Sequence, residues 1–262
     1  MPTFTGKTFA SFYKNLLGLN QSSNTGVDAT TRTVHDGLGQ STSVSLSDDV
    51  LSVQPVTDNT TATMLVKNQG GSNILAVDTT NSLVKAGASQ ANALTLFKEM
   101  GLYDFSPTAG YHYPLVASTM FIPTGATAFA GDNDWGNASD PPATLSVSGL
   151  TQQENAVAVY WYLENNITLD SVRFMATADG SATLNFHLSA YTLDTSTNYG
   201  NLSAGAVHAN GTVAATNSTI KTGTFTLGTA DIDAGKVVVG FVENATDTSD
   251  VSVSFQIKYF IR

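Results

Sequence analysis

The C-terminal stretch constrains this chain most. Val251, Val253, Phe255, Ile257, Tyr259 and Ile261 alternate with Ser252, Ser254, Gln256, Lys258 and Phe260. A period of two held this long puts the apolar set on one face of a β-strand and the other set on the opposite face. Such a strand demands sheet neighbours and an apolar layer against its Val/Phe/Ile face, so the C-terminus is expected inside a sheet. Further strands are predicted at Leu145/Val147, Val157/Val159/Trp161, Leu184/Phe186/Leu188 and Phe225/Leu227, with another in the run VVVGFV at 237–242. The strings ENN, DGS, DTSTNYGN, ANGT and ENATDTSD separate them as turns. About eight short strands at this spacing predict an antiparallel β-sandwich, jelly-roll-like, over residues 115–262.

The N-terminal part reads differently. Phe9, Phe12, Tyr13, Leu16 and Leu17 fall on one face at helical spacing, with Thr8 as N-cap and Gly18 as the stop. This amphipathic helix must bury its aromatic face against its own domain or dock it on a partner. Residues 20–55 are mostly turn-forming, with brief alternations at Val44/Leu46 and Val50/Leu51/Val53, and predict an extended arm that lies along another surface. Residues 1–55 are therefore expected to form an anchoring helix and arm. In residues 56–114, Leu65-Val66, Ile74–Val77 and Leu83-Val84 recur between NQGG and DTTN turns and predict a small β stem. A second helix is expected over 91–100, on Leu94, Phe97 and Met100, with Ser89 as cap and Gly101 as stop. YDFSPTAGYHYP at 103–114 follows as an aromatic linker broken by Pro107 and Pro114, where the main domain boundary is placed.

Charge narrows the partners. Charged residues make up 12% of the chain, against about 25% in an ordinary soluble domain. The net charge is −10 and the 11 basic residues are scattered, so nucleic acid is not an expected partner. No run reaches the ~18 apolar residues of a membrane helix, and membrane insertion is not expected. The opening residues lack a signal-type apolar run, and there is no cysteine; synthesis and folding in a cytoplasm is the expectation.

Motifs for chemistry are sparse. His35, His112, His187 and His208 show no paired ligand spacing, so no metal or other cofactor is expected from them; His187, out of phase with Phe186 and Leu188, is expected to face solvent or a sheet edge. No nucleophile elbow, phosphate loop or dinucleotide fingerprint is present. One loop offers oxygen donors at Asp132, Asp134, Asn137 and Asp140, which read either as a solvated loop or as a weak calcium site lacking the EF-hand's closing Glu. Trp135 in that loop is either folded back into the core or a contact residue. Tyr111, Tyr113 and Tyr199 join it as candidates for surface recognition, which would suit a carbohydrate-binding module. A glycan hydrolase using a pair such as Glu164 and Glu243 is the other alternative.

The segments SSNTGVDATTRTVHDGLGQSTSVSLSDDVLSVQP and ILAVDTTNSLVKAG resemble the N-terminal and shaft-like parts of structural proteins of tailed bacteriophages, marine ones in particular. The resemblance implies a non-enzymatic virion fibre or capsid decoration: a homotrimer with an N-terminal anchor, a short intertwined stem and a C-terminal sandwich head. On that reading Phe9, Phe12, Tyr13, Leu16 and Leu17 form the docking knob. The implied partners are other copies of the chain, capsid, portal or adaptor and tail proteins, and a host surface glycan where the head serves attachment. The implied location is the virion, assembled in the cytoplasm of a host bacterium, with head and tail positions both open.

Overall fold

The computed structural model describes residue 13 and residues 16–22, 26–87, 91–117, 135–146, 156–196, 200–217 and 219–262. The chain divides into two compact units, Met1–Leu94 and Thr95–Arg262.

The first unit holds two four-stranded antiparallel sheets in simple meander order. One contains β1 (Gly18–Leu19), β2 (Arg32–His35), β3 (Ser41–Leu46) and β4 (Leu51–Val53). The other contains β5 (Met64–Lys67), β6 (Asn73–Asp78), β7 (Leu83–Ala86) and β8 (Ala91–Asn92). The predicted arm is thus a sheet: its two brief alternations pair with each other, Val44 opposite Val53 and Leu46 opposite Leu51. A turn closed by the Ser47 hydroxyl, which accepts from the Val50 N–H at 3.0 Å, joins them. The NQGG turn forms as expected. Asn68 Oδ1 accepts from the Ser72 N–H at 2.9 Å, and Gly71 takes φ +86°, a value that favours glycine. At DTTN, the inaccessible Asp78 carboxylate accepts from Asn81 and from Lys85 Nζ at 2.6 Å.

The N-terminal helix is not supported. Phe9 and Phe12 lie outside the described residues; Tyr13, Leu16 and Leu17 are exposed, and Gly18, the expected stop, begins β1 opposite His35.

The second unit is a two-sheet β-sandwich. Its first sheet has the order β10-β18-β13-β14-β16, from β10 (His112–Pro114), β13 (Ala182–Leu193), β14 (Leu202–Ala215), β16 (Thr226–Leu227) and β18 (Lys236–Asn244), with β11 (Trp161–Tyr162) also on β18. Its second has the order β15-β12-β19-β9, from β9 (Thr95–Phe105), β12 (Ile167–Ala178), β15 (Lys221–Thr224) and β19 (Val251–Ile261), with β17 (Asp231–Ile232) on β12. Between them lie Leu184, Phe186, Leu188, Val238 and Val242 from one side and Val172, Phe174, Val253, Phe255 and Ile257 from the other. Phe174, Phe186, Phe225 and Phe255 form its aromatic centre, at centroid separations of 4.6 to 6.0 Å.

Two expectations change here. The predicted helix over 91–100 is strand: Leu94 and Phe97 recur at a spacing short enough to mislead, and the backbone of β9 instead completes the open edge of β19, Phe255 opposite Met100. The aromatic linker is strand at both ends, 103–105 closing β9 and 112–114 forming β10, with a turn at 106–111 between them. Both strands belong to the sandwich, so the unit boundary falls at Leu94/Thr95 and not near Pro114.

The first sheet is covered on both faces. Its outer face carries Val237, Val239 and Phe241 of β18, Tyr191 of β13 and Leu202 of β14, and with them pack Trp135, Leu145 and Val159, the last from a short helix α1 (Ala156–Val159). Double coverage explains why 237–242 is a continuous apolar run, since a strand buried on both sides has no polar phase.

Candidate functional site

At one end of that outer face the apolar pattern gives way to His112, His187 and Glu243. Strand register alone brings them together. His112 of β10 lies opposite Glu243 of β18; Asn185 of β13 lies opposite Glu243 from the other side; His187, two residues on, lies opposite Phe241. All three point to the outer face because they share the phase of Phe241 and Tyr191. One donor atom from each lies within 4.8 Å of the others. The three residues are 0%, 6% and 8% exposed.

Their surroundings fix the side chains. Backbone hydrogen bonds run both ways between His112 and the segment Trp135-Gly136, and His112 Nδ1 lies 3.1 Å from the Gly136 carbonyl oxygen. The carbonyl oxygen accepts, so Nδ1 is the donor of that bond, and Nε2 has no hydrogen-bond partner among the described residues. Neither ring nitrogen of His187 has a hydrogen-bond partner among the described residues; its Nδ1 is 3.9 Å from Asp140 Oδ1. Asn185 donates to Glu243 Oε2 at 2.7 Å and accepts from the Thr212 hydroxyl at 2.9 Å. Burial, then the neighbouring His112, pushes the His187 imidazole down to about 4, opposed by Asp140, so the ring is neutral near pH 7. Phe241 closes the floor, its ring 6.3 Å from His112 and 5.3 Å from Trp135. Two imidazoles and one carboxylate form the donor set that divalent transition metals take, and one that calcium and magnesium do not favour.

His187 was expected at solvent or an edge; it is buried, because β13 is an interior strand covered on both faces. The spacing test passed over this cluster since its members come from three strands rather than one helix. A signal did exist: a doubly buried strand at 237–242 implies that Glu243 is buried as well.

The other predicted site residues are scattered. Trp135 is 4% exposed and folded back into the outer layer. Tyr113 is buried at 2%, its hydroxyl accepting from the Thr108 N–H, so it offers no ring for stacking. Tyr111 is half-buried against the sandwich core. Tyr199, Asp132 and Asp134 lie outside the described residues. Of the remaining loop donors, Asn137 is exposed and Asp140 approaches His187. Glu164 is exposed beyond β11, next to Leu163, whose N–H donates to the Lys236 carbonyl at the start of β18. Glu243 is at the other end of that strand, roughly 20 Å away at ~3.3 Å per residue, too far for a two-carboxylate glycosidase pair.

No protein-family model matches the chain, and no curated protein matches it. Among solved structures it is similar to Eiger TNF from S. frugiperda, at 9% identity and a TM-score of 0.27, over 63% of this chain and 93% of that one. It is also similar to an aminopeptidase from the marine sediment archaeon Thaumarchaeota archaeon, at 8% identity and a TM-score of 0.29, over 71% of this chain and 40% of that one. A third is infectious bursal disease virus, Gx strain, at 9% identity and a TM-score of 0.26, over 73% and 64%. Likenesses this distant assign neither a fold family nor a function.

Proposed function

We propose that the chain is a non-enzymatic structural protein of a bacteriophage particle, a homotrimeric fibre or decoration that assembles and anchors through residues 1–94. The sandwich of residues 95–262, jelly-roll-like in kind, serves as its projecting head. The phage assignment and the trimer rest on the sequence resemblance.

The observation that carries the reading is the state of the first unit. Among its described residues only Ala76 and Asp78 are buried, whereas Leu17, Leu38, Leu51, Val56, Ile74 and Leu94 are 50% exposed or more. Two four-stranded meanders without a core do not hold themselves together in water, because three or more strands need an apolar face packed against something. A second copy or another particle protein supplies the missing layer. The sandwich has that layer within its own chain.

Light scattering on the full chain and on residues 95–262 tests this. The expected result is a trimer that becomes a monomeric, folded sandwich once residues 1–94 are removed. A monomeric full chain overturns the reading, and a trimeric sandwich fragment overturns the assignment of assembly to the first unit.

A further inference from the structure

We propose that His112, His187 and Glu243 form a structural site for one divalent transition-metal ion, zinc, which ties β10 to β18 and β13. This inference concerns the sandwich alone and stands independently of the phage reading.

Three features of the cluster point to a cation. The first is the unfilled valence. Among the described residues, His112 Nε2 and both ring nitrogens of His187 are buried without a hydrogen-bond partner, and Glu243 sits beside them. Buried polar atoms are nearly always satisfied, so unpartnered nitrogens on two neighbouring rings, with a carboxylate oxygen within 4.8 Å, call for a ligand that accepts lone pairs. The second is the direction of the donors: the Gly136 carbonyl engages His112 Nδ1 at 3.1 Å, which leaves Nε2 as the ring's ligand atom. The third is the support behind them. A histidine ligand is commonly oriented through its other nitrogen by a carbonyl or carboxylate, and a ligating carboxylate is itself hydrogen-bonded. Gly136 O does this for His112, Asp140 is placed to do it for His187, and Asn185, held by Thr212, does it for Glu243.

The donor set selects the ion. Two nitrogens and one carboxylate oxygen match the His/His/Glu combination of zinc, whose bonds of ~2.0–2.2 Å draw together donors now up to 4.8 Å apart. The fourth position falls to water. The role is a cross-link. β10 contributes only His112–Pro114 at the sheet edge, and a metal bond from His112 to β18 and β13 secures that short strand.

Untagged full-length protein, stripped with a chelator, is titrated with zinc chloride by calorimetry and with cobalt(II) by visible absorption. The expected result is one equivalent of zinc bound per chain with a micromolar or tighter Kd, a raised melting temperature, and cobalt bands of a low-coordinate nitrogen/oxygen site. His112→Gln and Glu243→Gln each weaken zinc at least ~100-fold, Asn185→Ala weakens it ~10-fold, and His35→Gln with His208→Gln leaves it unchanged. If the ligand variants fail to fold, the cobalt spectrum of the wild-type protein decides. Failure of wild-type protein to take up zinc or cobalt overturns the site, as does undiminished binding by folded His112→Gln and Glu243→Gln. Preference for manganese or iron over zinc supports the ligand set and overturns the choice of ion.

Discussion

The two units use similar strands to different ends. In the second, β13 and β18 are covered on both faces, and Phe186, Leu188, Val238 and Phe241 are inaccessible to solvent. In the first, β5 (Met64–Lys67) is exposed along its whole length even though Met64, Leu65 and Val66 are apolar. Backbone pairing is satisfied in both. What differs is the second layer, and it is the apolar layer rather than the hydrogen-bond ladder that supplies most of the free energy of folding. The comparison teaches that strand pairing measures local order, and burial measures independence.

Separating the units should have the largest effect. A fragment of residues 1–94 at dilute concentration is expected to show no cooperative thermal transition by circular dichroism, while residues 95–262 melt in one step. A sharp, concentration-independent transition in the 1–94 fragment would break the contrast.

Next comes the aromatic centre. Phe255→Ala removes a ring packed on Phe186 and Phe225 and should destabilise the sandwich by about 3–5 kcal/mol in a denaturant titration. Leu51→Ala, at an exposed position, should cost no more than about 0.5 kcal/mol in a dissociated chain. A larger loss that grows with protein concentration would show where the first unit finds its missing layer. Gly240→Val is smaller than the Phe255 change: a Cβ there would meet Met100 Sδ at 3.0 Å and the Phe255 ring at 3.2 Å, and such overpacking costs about 1–3 kcal/mol.

The smallest effect is electrostatic and belongs to the first unit. Hydrogen bonds from Lys85 and Asn81 lower the Asp78 carboxyl from 3.8 to about 2. Its folded pKa is depressed, so the unfolded chain takes up the proton first. The contribution is complete above pH 3.8 and disappears as the pH falls to about 2. In the assembled protein, Asp78→Asn should flatten the stability of residues 1–94 over that window and leave the sandwich's acid response unchanged. An unaltered profile would remove this pair from the account.

Much of the sandwich was legible. The alternation at 251–261 is β19, with Val251, Val253, Phe255 and Ile257 facing the core, and the run at 237–242 is the doubly buried β18. The first unit was legible at its turns, where local chemistry decides: NQGG closes on Asn68, and DTTN closes on Asp78. The failures were in segments whose conformation a distant strand decides. In residues 95–105 the apolar positions Leu96, Phe97, Met100, Leu102, Tyr103 and Phe105 keep neither a period of 3.6 nor one of two, and the edge of β19 settles the matter. Residues 112–114 look like a proline-broken linker until β18 pairs with them.

The candidate site divides the same way. Residue types and alternation determined by themselves that the chain is mainly β, that its C-terminal strand is interior, and that His187 and Phe186 occupy opposite faces of β13. Only the tertiary structure decided that the face carrying His187 is covered, and that β10 and β13 flank β18 in a register placing His112 beside Glu243. Side-chain phase is a property of two neighbouring residues. Register and coverage come from strands far apart in sequence, whose pairing depends on the burial of the whole sheet.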